Sequence, residues 1–379
     1  MTGKAIVVGA GIGGLAAAIA LRRAGWEVEV LERAATPGEL GFALLLAPNA
    51  MRALRALGLA DRIVAGGAVA EHGEIRRADG KVLRHIDFRP VHERLGEPSV
   101  TVLRTVLHGA LLEAVGPAAL RLGNAVAAIA PDADGAAVTL ASGEVRRARV
   151  VVGADGVQSV ARRTLHPGEP AARWSGLLAL RGLVRGVPDL GAAVYYGRGC
   201  EAGTSPAGSD AVYWFISARA DHPGEHPTAT GDPRARLAPL LDQMHEPFRA
   251  LVARTDPQDL RLDPLMERAP LAHWGTGTIT LLGDAAHPML PHAGQGAAQA
   301  LEDAVALGDA LVAATDPADG LRSYESARMP RAAAIVALAR RNARIAIQDS
   351  SVACALRNIA IRLVPDSIML RAQIDLARA

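Results

Sequence analysis

The chain has 379 residues, 50% of them hydrophobic, with 41 basic and 39 acidic side chains mixed along its length and a formal charge of +2. That is ample for a buried core, gives no basic surface for nucleic acid, and contains no stretch that reaches the roughly 18 uninterrupted apolar residues of a membrane span. Cys200 and Cys354 are the only cysteines, so neither a disulfide framework nor metal-ligand spacing is present, and lysine only at Lys4 and Lys81 leaves few candidate catalytic amines.

The first predicted strand begins almost at Met1, which leaves no room for a signal peptide and leads us to expect a cytoplasmic protein. Residues 4–14 read Lys-Ala-Ile-Val-Val-Gly-Ala-Gly-Ile-Gly-Gly, followed by a helical run to Gly25 and a second apolar run, Val28 to Leu31, that ends at Glu32. Strand, glycine turn, helix, strand and acid in that order form a dinucleotide site for FAD or NAD. Gly9 permits the turn, Gly11 the approach of a pyrophosphate, and Gly14 close packing of helix on strand. The helix N-terminus faces the phosphate charge. Glu32 can accept both ribose hydroxyls and would repel a 2′-phosphate.

A glycine-bearing stretch, Gly38 to Leu46, leads into Pro48-Asn49-Ala50 and an amphipathic helix with Met51, Leu54 and Leu57 on one face, stopped by Gly58. Short runs Glu74 to Ala78 and Lys81 to Phe88 flank Asp79-Gly80, a hairpin signal foreign to a doubly wound sheet. Helical spacing returns at Val102 to Val115. A meander follows with turns at Asp134-Gly135 and Ser142-Gly143, and the buried run 150–152 delivers Gly153-Ala154-Asp155-Gly156. Strands are expected at Leu177 to Val184, Ala192 to Tyr196 and Ala211 to Ala218, with loop and helix from Asp221 to Pro264. From 278 to 304 a buried strand ends at Gly283-Asp284, a proline-bounded loop follows, and Gly294-Gln295-Gly296 opens a helix. The positive end of that helix would face whatever occupies the loop.

These three motifs, Gly9 to Gly14 with Glu32, Gly153 to Gly156 with Arg162, and Gly283-Asp284 with Pro291 to Gly296, resemble the FAD-dependent aromatic hydroxylase family, single-component flavoprotein monooxygenases related to para-hydroxybenzoate hydroxylase. The resemblance covers roughly residues 4–345 and includes Pro48-Asn49-Ala50. It implies an α/β fold: a Rossmann-like FAD-binding domain (1–72, 97–172 and 267–345) interleaved with a mostly β substrate domain (73–96 and 173–266), then C-terminal helices (346–379). It implies tightly, non-covalently bound FAD. The glycine turn Gly9, Gly11, Ile12, Gly13 and Gly14 would hold the pyrophosphate, with Glu32 and Arg33 at the adenosine ribose and Arg104 on the pyrophosphate side. Asp155 would serve FAD and NAD(P)H together, Gly283 and Asp284 the ribityl chain, and Pro291, Gly294, Gln295, Gly296 and Ala297 the flavin ring.

The family lacks a separate nicotinamide domain, which fits the single fingerprint here: NAD(P)H is a transient co-substrate, and O2 reacts with reduced flavin to give a C4a-hydroperoxide that an electron-rich ring attacks. Such chemistry needs no side-chain nucleophile, and no catalytic base or metal site is assigned. Candidate contacts for an aromatic, phenolic or polycyclic small molecule are Arg181, Tyr196, Ser205, Tyr213, Phe215 and His292. Tyr213 and Phe215 share one strand face and Trp214 takes the other; packing of sheet on helix is an equal reading of that cluster. His287 and His292 are expected to order the loop rather than act as bases. A loop from Gly197 to Gly208 carries Ser205-Pro206, and Ala207 stands where some relatives acting on benzoates have arginine, which disfavours a small carboxylated benzene. A cap role for Asp155 and a solvated Arg104 stay open. The stretch from Val352, with Arg357, Arg362 and Arg371, reads as a docking helix or a surface for a membrane or partner. A reductase or dehydrogenase of the same superfamily and a non-catalytic FAD redox sensor remain alternatives; a halogenase would need a lysine that Lys4 and Lys81 do not supply. A monomer or homodimer is expected, with no nucleic-acid partner.

Overall fold

Apolar strands without polar alternation are built to be covered on both faces, and two such runs, 5–8 and 150–153, lie side by side within the parallel sheet. The computed structural model describes residues 3–36, 42–187, 189–208, 210–220 and 232–378. Lys4–Val8 pairs in parallel with Val150–Gly153 on one side and Glu27–Leu31 on the other; Ile279–Leu281 and Leu120–Arg121 complete a five-stranded parallel sheet. Helix Ile12–Arg23 packs between this sheet and helix Gly296–Ala313, where a Cβ at Gly308 would lie 3.1 Å from Ala20. Close approach of the two helices therefore depends on small residues.

The second sheet has seven strands in the spatial order Leu260–Glu267, Arg173–Arg185, Ala211–Arg219, Cys200–Pro206, Ala193–Tyr196, His72–Arg77, Val82–Asp87. All neighbours are antiparallel except Ala193–Tyr196 against His72–Arg77. One face buries Trp214, Tyr195 and Ile216 under helix Glu246–Arg254, with Trp214 donating through Nε1 to Thr255 Oγ1 at 2.9 Å. Its other face turns to the parallel-sheet half, where Leu177 and Ala179 meet Leu290 and Ala343, and Tyr213 meets Ala43 and Leu103. This junction sets two different chemistries, nucleotide turn and aromatic sheet face, against each other.

Several expectations need correction. Val102 does not begin a helix: Val100–Leu103 is a strand in a three-stranded sheet with Ala43–Leu46 and Ala68–Val69, and the helix starts at Arg104. The alternating Val-Thr-Val finds antiparallel partners there, which outweighs its helical spacing. The stretch Gly197 to Gly208 is not a loop; Cys200–Pro206 is a central strand despite its small residues, because both neighbours pair with it. Of Asp221 to Pro264, residues 221–231 lie outside the described residues, and the segment ends not in loop but in the strand Leu260–Glu267. Of the stretch Gly38 to Leu46, residues 38–41 also lie outside, and Ala43–Leu46 is a strand.

The C-terminal stretch forms two helices, Ser351–Leu363 and Asp366–Ala377, broken at Pro365. Val352, Leu356, Ile359 and Leu363 do face outward, but Arg357 is no surface residue. It is buried, donating to the carbonyls of Ala346 (2.6 Å) and Gly197 (3.2 Å). Among the described residues no helix is long and apolar enough to cross a membrane.

Candidate functional site

Strand Lys4–Val8 ends in Gly9, whose φ of 102° suits glycine alone. A Cβ there would lie 2.5 Å from the Ala154 carbonyl oxygen, and one on Gly14 only 2.0 Å from the Gly9 oxygen. These two glycines serve the protein's own packing. Gly11 differs: a Cβ on it would meet no protein atom within 4 Å, and the same holds at Gly296. In each case a helix starts beside open space that a ligand could enter. Gly11 is the N-cap of Ile12–Arg23 and makes no side-chain cap, so its neighbouring N–H groups are available to an anion.

The turn borders a cleft of about 530 Å³ lined by Gly9, Gly11, Glu32, Arg33, Arg104 and Asp155, together with His108 and Asn124. Glu32 accepts from the N–H of Ala10 (2.8 Å) and of Ala34 (2.9 Å), so the acid that would hold a ribose is itself braced by the glycine turn. His108 Nε2 lies 2.7 Å from the Ala10 carbonyl on the opposite side. Ile12 and Gly13 sit within the first helical turn, with Gly13 against Leu282 and Ala300. Asp155 accepts from Ser159 Oγ (2.5 Å) and from the N–H groups of Val160 (2.6 Å) and Ala161 (3.3 Å); it caps helix Val160–Leu165 while also lining the cleft.

At the far side of the parallel sheet, Ile279–Leu281 ends and Gly283 turns with φ 60°. Asp284 opens to solvent while protein encloses its remaining sides; that burial raises its pKa, against the pull of the His287 and Arg104 charges. Arg104 therefore lies near both ends of the site. The backbone of this turn is held by Arg162, fully buried, which donates to the Ala285 (3.0 Å) and Ala286 (2.9 Å) carbonyls and pairs with Glu169. Asp303 accepts from the Gly283 N–H (3.1 Å), from His287 Nε2 (2.5 Å) and from Arg328 Nε (2.7 Å). Burial would raise Asp303, but the His287 and Arg328 charges hold it below the ordinary carboxylate value; burial likewise opposes the proton on His287, and Asp303 restores it.

Pro291, His292 and Ala293 make one tight turn that closes on Gly294, φ 62°, before Gln295 and the helix Gly296–Ala313, with Ala297 in its first turn. Gln295 is buried and receives the Asn49 amide (2.9 Å) and the Gln299 amide (3.2 Å). Asn49 also donates to Glu302, which pairs with Arg328 at 2.6 Å. One buried network thus fixes both the Gly283 turn and the Gly294 turn. The half-buried helix start offers N–H donors and a partial positive charge to an electron-rich group in front of it.

Opposite lies the seven-stranded sheet. Its registers place Tyr196, Glu201 and Ser217 side by side in one row and Gly203, Phe215 and Arg181 in the next; Ser205 and Tyr213 pair beyond them. Phe42, Tyr213 and Phe215 form a row of rings with centroids 6.0 and 6.2 Å apart. Ser205 Oγ meets Thr101 Oγ1 at 2.8 Å. Arg181 pairs with Asp263 at 2.8 Å, a carboxylate it shares with Arg261 at 2.6 Å. Tyr196 carries the Arg357 guanidinium 4.7 Å over its ring. The His292 side chain is buried, with Nε2 3.4 Å from Ser217 Oγ and 3.5 Å from Glu201 Oε2. All six candidate substrate contacts thus lie at the junction with the Pro291 turn or on the sheet face toward it, whereas Trp214 points to the other core. Sequence reading missed Glu201, Ser217, Gln299 and Arg328, and singled out Asn49 only as part of the Pro48-Asn49-Ala50 segment. The one usable signal was an acid at alternate spacing within a run of small residues.

A family model described as an FAD binding domain matches residues 2–339. Aurachin C monooxygenase/isomerase from Stigmatella aurantiaca is 33% identical over 363 residues, 95% of this chain and 94% of that protein. The 3-amino-4-hydroxybenzoate 2-monooxygenase PtmB3 from Streptomyces platensis is 34% identical, covering 86% of this chain and 84% of its own. Among solved structures, Klebsiella pneumoniae HpxO complexed with FAD and uric acid superposes with a TM-score of 0.92 at 27% identity, over 99% of this chain and 96% of that one.

Proposed function

The chain belongs to the FAD-dependent aromatic hydroxylase family, and from that premise we propose that it draws reducing equivalents from NAD(P)H and transfers one atom of O2 to a phenolic or polycyclic aromatic small molecule. It is an FAD-dependent monooxygenase whose relatives act on aromatic compounds. Bound FAD supplies the electron transfer and oxygen activation. The protein's part is to bind, orient and exclude water.

For binding, the N–H groups following Gly11 would take the pyrophosphate and Glu32 the ribose hydroxyls, while Arg104 and Asp284 flank the chain leading to the ring. The N-terminus of Gly296–Ala313 would stabilise negative charge on the reduced ring system. The sheet face bearing Tyr213 and Phe215 would hold the substrate flat against the flavin, and the apolar contacts of Leu177 and Ala179 with Leu290 and Ala343 beside it would help keep the reacting pair dry.

The observation that carries this reading is the aromatic row Phe42–Tyr213–Phe215 standing on the sheet face that also meets His292 of the loop ahead of the Gly296 helix. A reductase or a redox sensor has no need of an aromatic wall there. FAD-loaded protein mixed with NADH or NADPH, with and without 2-naphthol and 3-aminophenol, tests it. Ring-stimulated nucleotide oxidation is expected; flavin that neither nucleotide reduces, whatever ring is present, overturns the reading.

A further inference from the structure

An acid on the inward face of a central strand is costly unless it is paired, because desolvating a carboxylate takes several kcal/mol. Glu201 is in that position. Its strand neighbours Cys200 and Ala202 point into the core beneath Glu246–Arg254, so Glu201 points to the opposite face, in register with Tyr196 on one side and Ser217 on the other. Only 9% of the residue is exposed.

Among the described residues no arginine contacts it. Arg357 donates to the Ala346 and Gly197 carbonyls, which engage its donors without cancelling its charge, and Arg181 shares Asp263 with Arg261. His292 Nε2 approaches only to 3.5 Å, outside firm hydrogen-bond range, and the buried His292 Nδ1 has no partner at all. Two polar side chains from different elements, one on the substrate sheet and one in the turn before the Gly296 helix, therefore converge with hydrogen-bonding capacity unspent. Gly203, in the next row, lets the Phe215 ring lie close against the strand: a Cβ there would fall 2.4 Å from it.

We propose that Glu201 and His292 form the polar end of the substrate site and select an uncharged aromatic compound presenting an N–H or O–H donor from its edge, excluding rings that carry a carboxylate. The proposal rests on the reading that this sheet face receives the substrate. Burial pushes the Glu201 carboxyl up to about 8 and the His292 imidazole down to about 4, so near neutrality both are uncharged and their contact is polar rather than ionic. A benzoate would bring its charge to a buried acid whose neighbouring guanidiniums, Arg357 and Arg181, are already bonded to other groups, whereas a ring N–H or O–H meets the Glu201 oxygen or an imidazole nitrogen as acceptor. That sets this chain apart from relatives named for hydroxybenzoates.

The test is a matched pair of probes, 3-aminophenol and 3-hydroxybenzoate, which differ in the meta substituent. Each is titrated into FAD-loaded protein and binding is followed by the flavin absorbance. 3-Aminophenol is expected to bind about tenfold or more tightly, since one well-made buried hydrogen bond is worth about that factor. Glu201→Gln, which keeps the acceptor and the volume, should retain the preference; Glu201→Ala should erase it, and Glu201→Arg should invert it. A preference unchanged in both Glu201→Ala and Glu201→Arg, with flavin still bound, overturns the inference. Because binding is read without turnover, the two ideas fail separately. Ring discrimination in a protein that never oxygenates a ring would remove the monooxygenase reading alone, and oxygenation with unaltered discrimination would remove the Glu201 assignment alone.

Discussion

Single side chains at this site divide into those that brace the protein and those left open to a ligand. Glu32 does both, holding the Ala10 and Ala34 N–H groups while facing the cleft. Glu32→Ala is expected to weaken FAD binding about tenfold, the worth of roughly one charged hydrogen bond, and Asp284→Ala more strongly; fluorescence titration of the apoprotein with FAD measures both. Full FAD occupancy in both variants would show that the assignment is wrong. Gly14→Ala acts by another route, because its Cβ would fall 2.0 Å from the Gly9 oxygen and force strand and helix apart. A loss of about 1–3 kcal/mol or more is expected from such overpacking, seen as a lowered melting temperature of the apoprotein. His292 gives a pH dependence. Burial, assisted by the Arg181 charge, lowers its pKa from 6.5 to about 4, so the unfolded chain takes up a proton before the native protein does. Its contribution is therefore present above about 6.5 and lost as pH falls towards 4, on the order of 2–3 kcal/mol. Glu201 and Ser217 face the same ring. His292→Gln should lose less stability than wild type between pH 7 and pH 4.5 in urea denaturation; equal losses would contradict the buried neutral imidazole.

Elements are positioned by buried polar ties more than by local propensity. Helix Gly296–Ala313 carries Glu302 and Asp303 on its inner face, and Arg328 of helix Pro317–Ala346 binds both. Those bonds reach the ends of two ligand-facing turns through Gly283 and Asn49–Gln295. Removing one member of a buried ion network leaves the others unpaired, so Arg328→Met should cost about 3–5 kcal/mol in urea unfolding and weaken FAD binding besides. A variant with native stability and native FAD affinity would mean that the network does not hold the turns. Arg162 plays the same part for the Ala285–Ala286 backbone. Such ties explain what could be read from the chain and what could not. The glycine turn, the Glu32 strand end, the hairpin at Asp79-Gly80 and the meander were legible because each is set by neighbours in sequence. The strand Cys200–Pro206 was not: its Cys-Glu-Ala-Gly-Thr-Ser carries little β-branched bulk, and only pairing with Tyr196 and Trp214 strands makes it one. Arg357, spaced like a surface residue, was drawn inward by the Gly197 and Ala346 carbonyls.

Across the whole molecule, a parallel sheet that presents a nucleotide turn and an antiparallel sheet that presents aromatic rings are brought face to face by segments that alternate along the chain. Local signals reveal each half, but the face-to-face pairing of Glu201 with His292, 91 positions apart, is a property of the fold alone. A ligand that bridges the turns of one half against the other should stabilise both together. Added FAD is expected to raise the unfolding free energy by about 2.7 kcal/mol at a hundredfold excess over its dissociation constant, as linkage requires. A single shifted transition is the expected trace. The most direct test of the monooxygenase assignment is to run the FAD-loaded protein with NADPH or NADH under isotopically heavy O2, using the ring that most accelerates nucleotide oxidation, and to weigh the product. One heavy oxygen atom per hydroxylated ring is the expected result; product oxygen drawn from water, or nucleotide oxidation yielding only hydrogen peroxide with every ring, would contradict it.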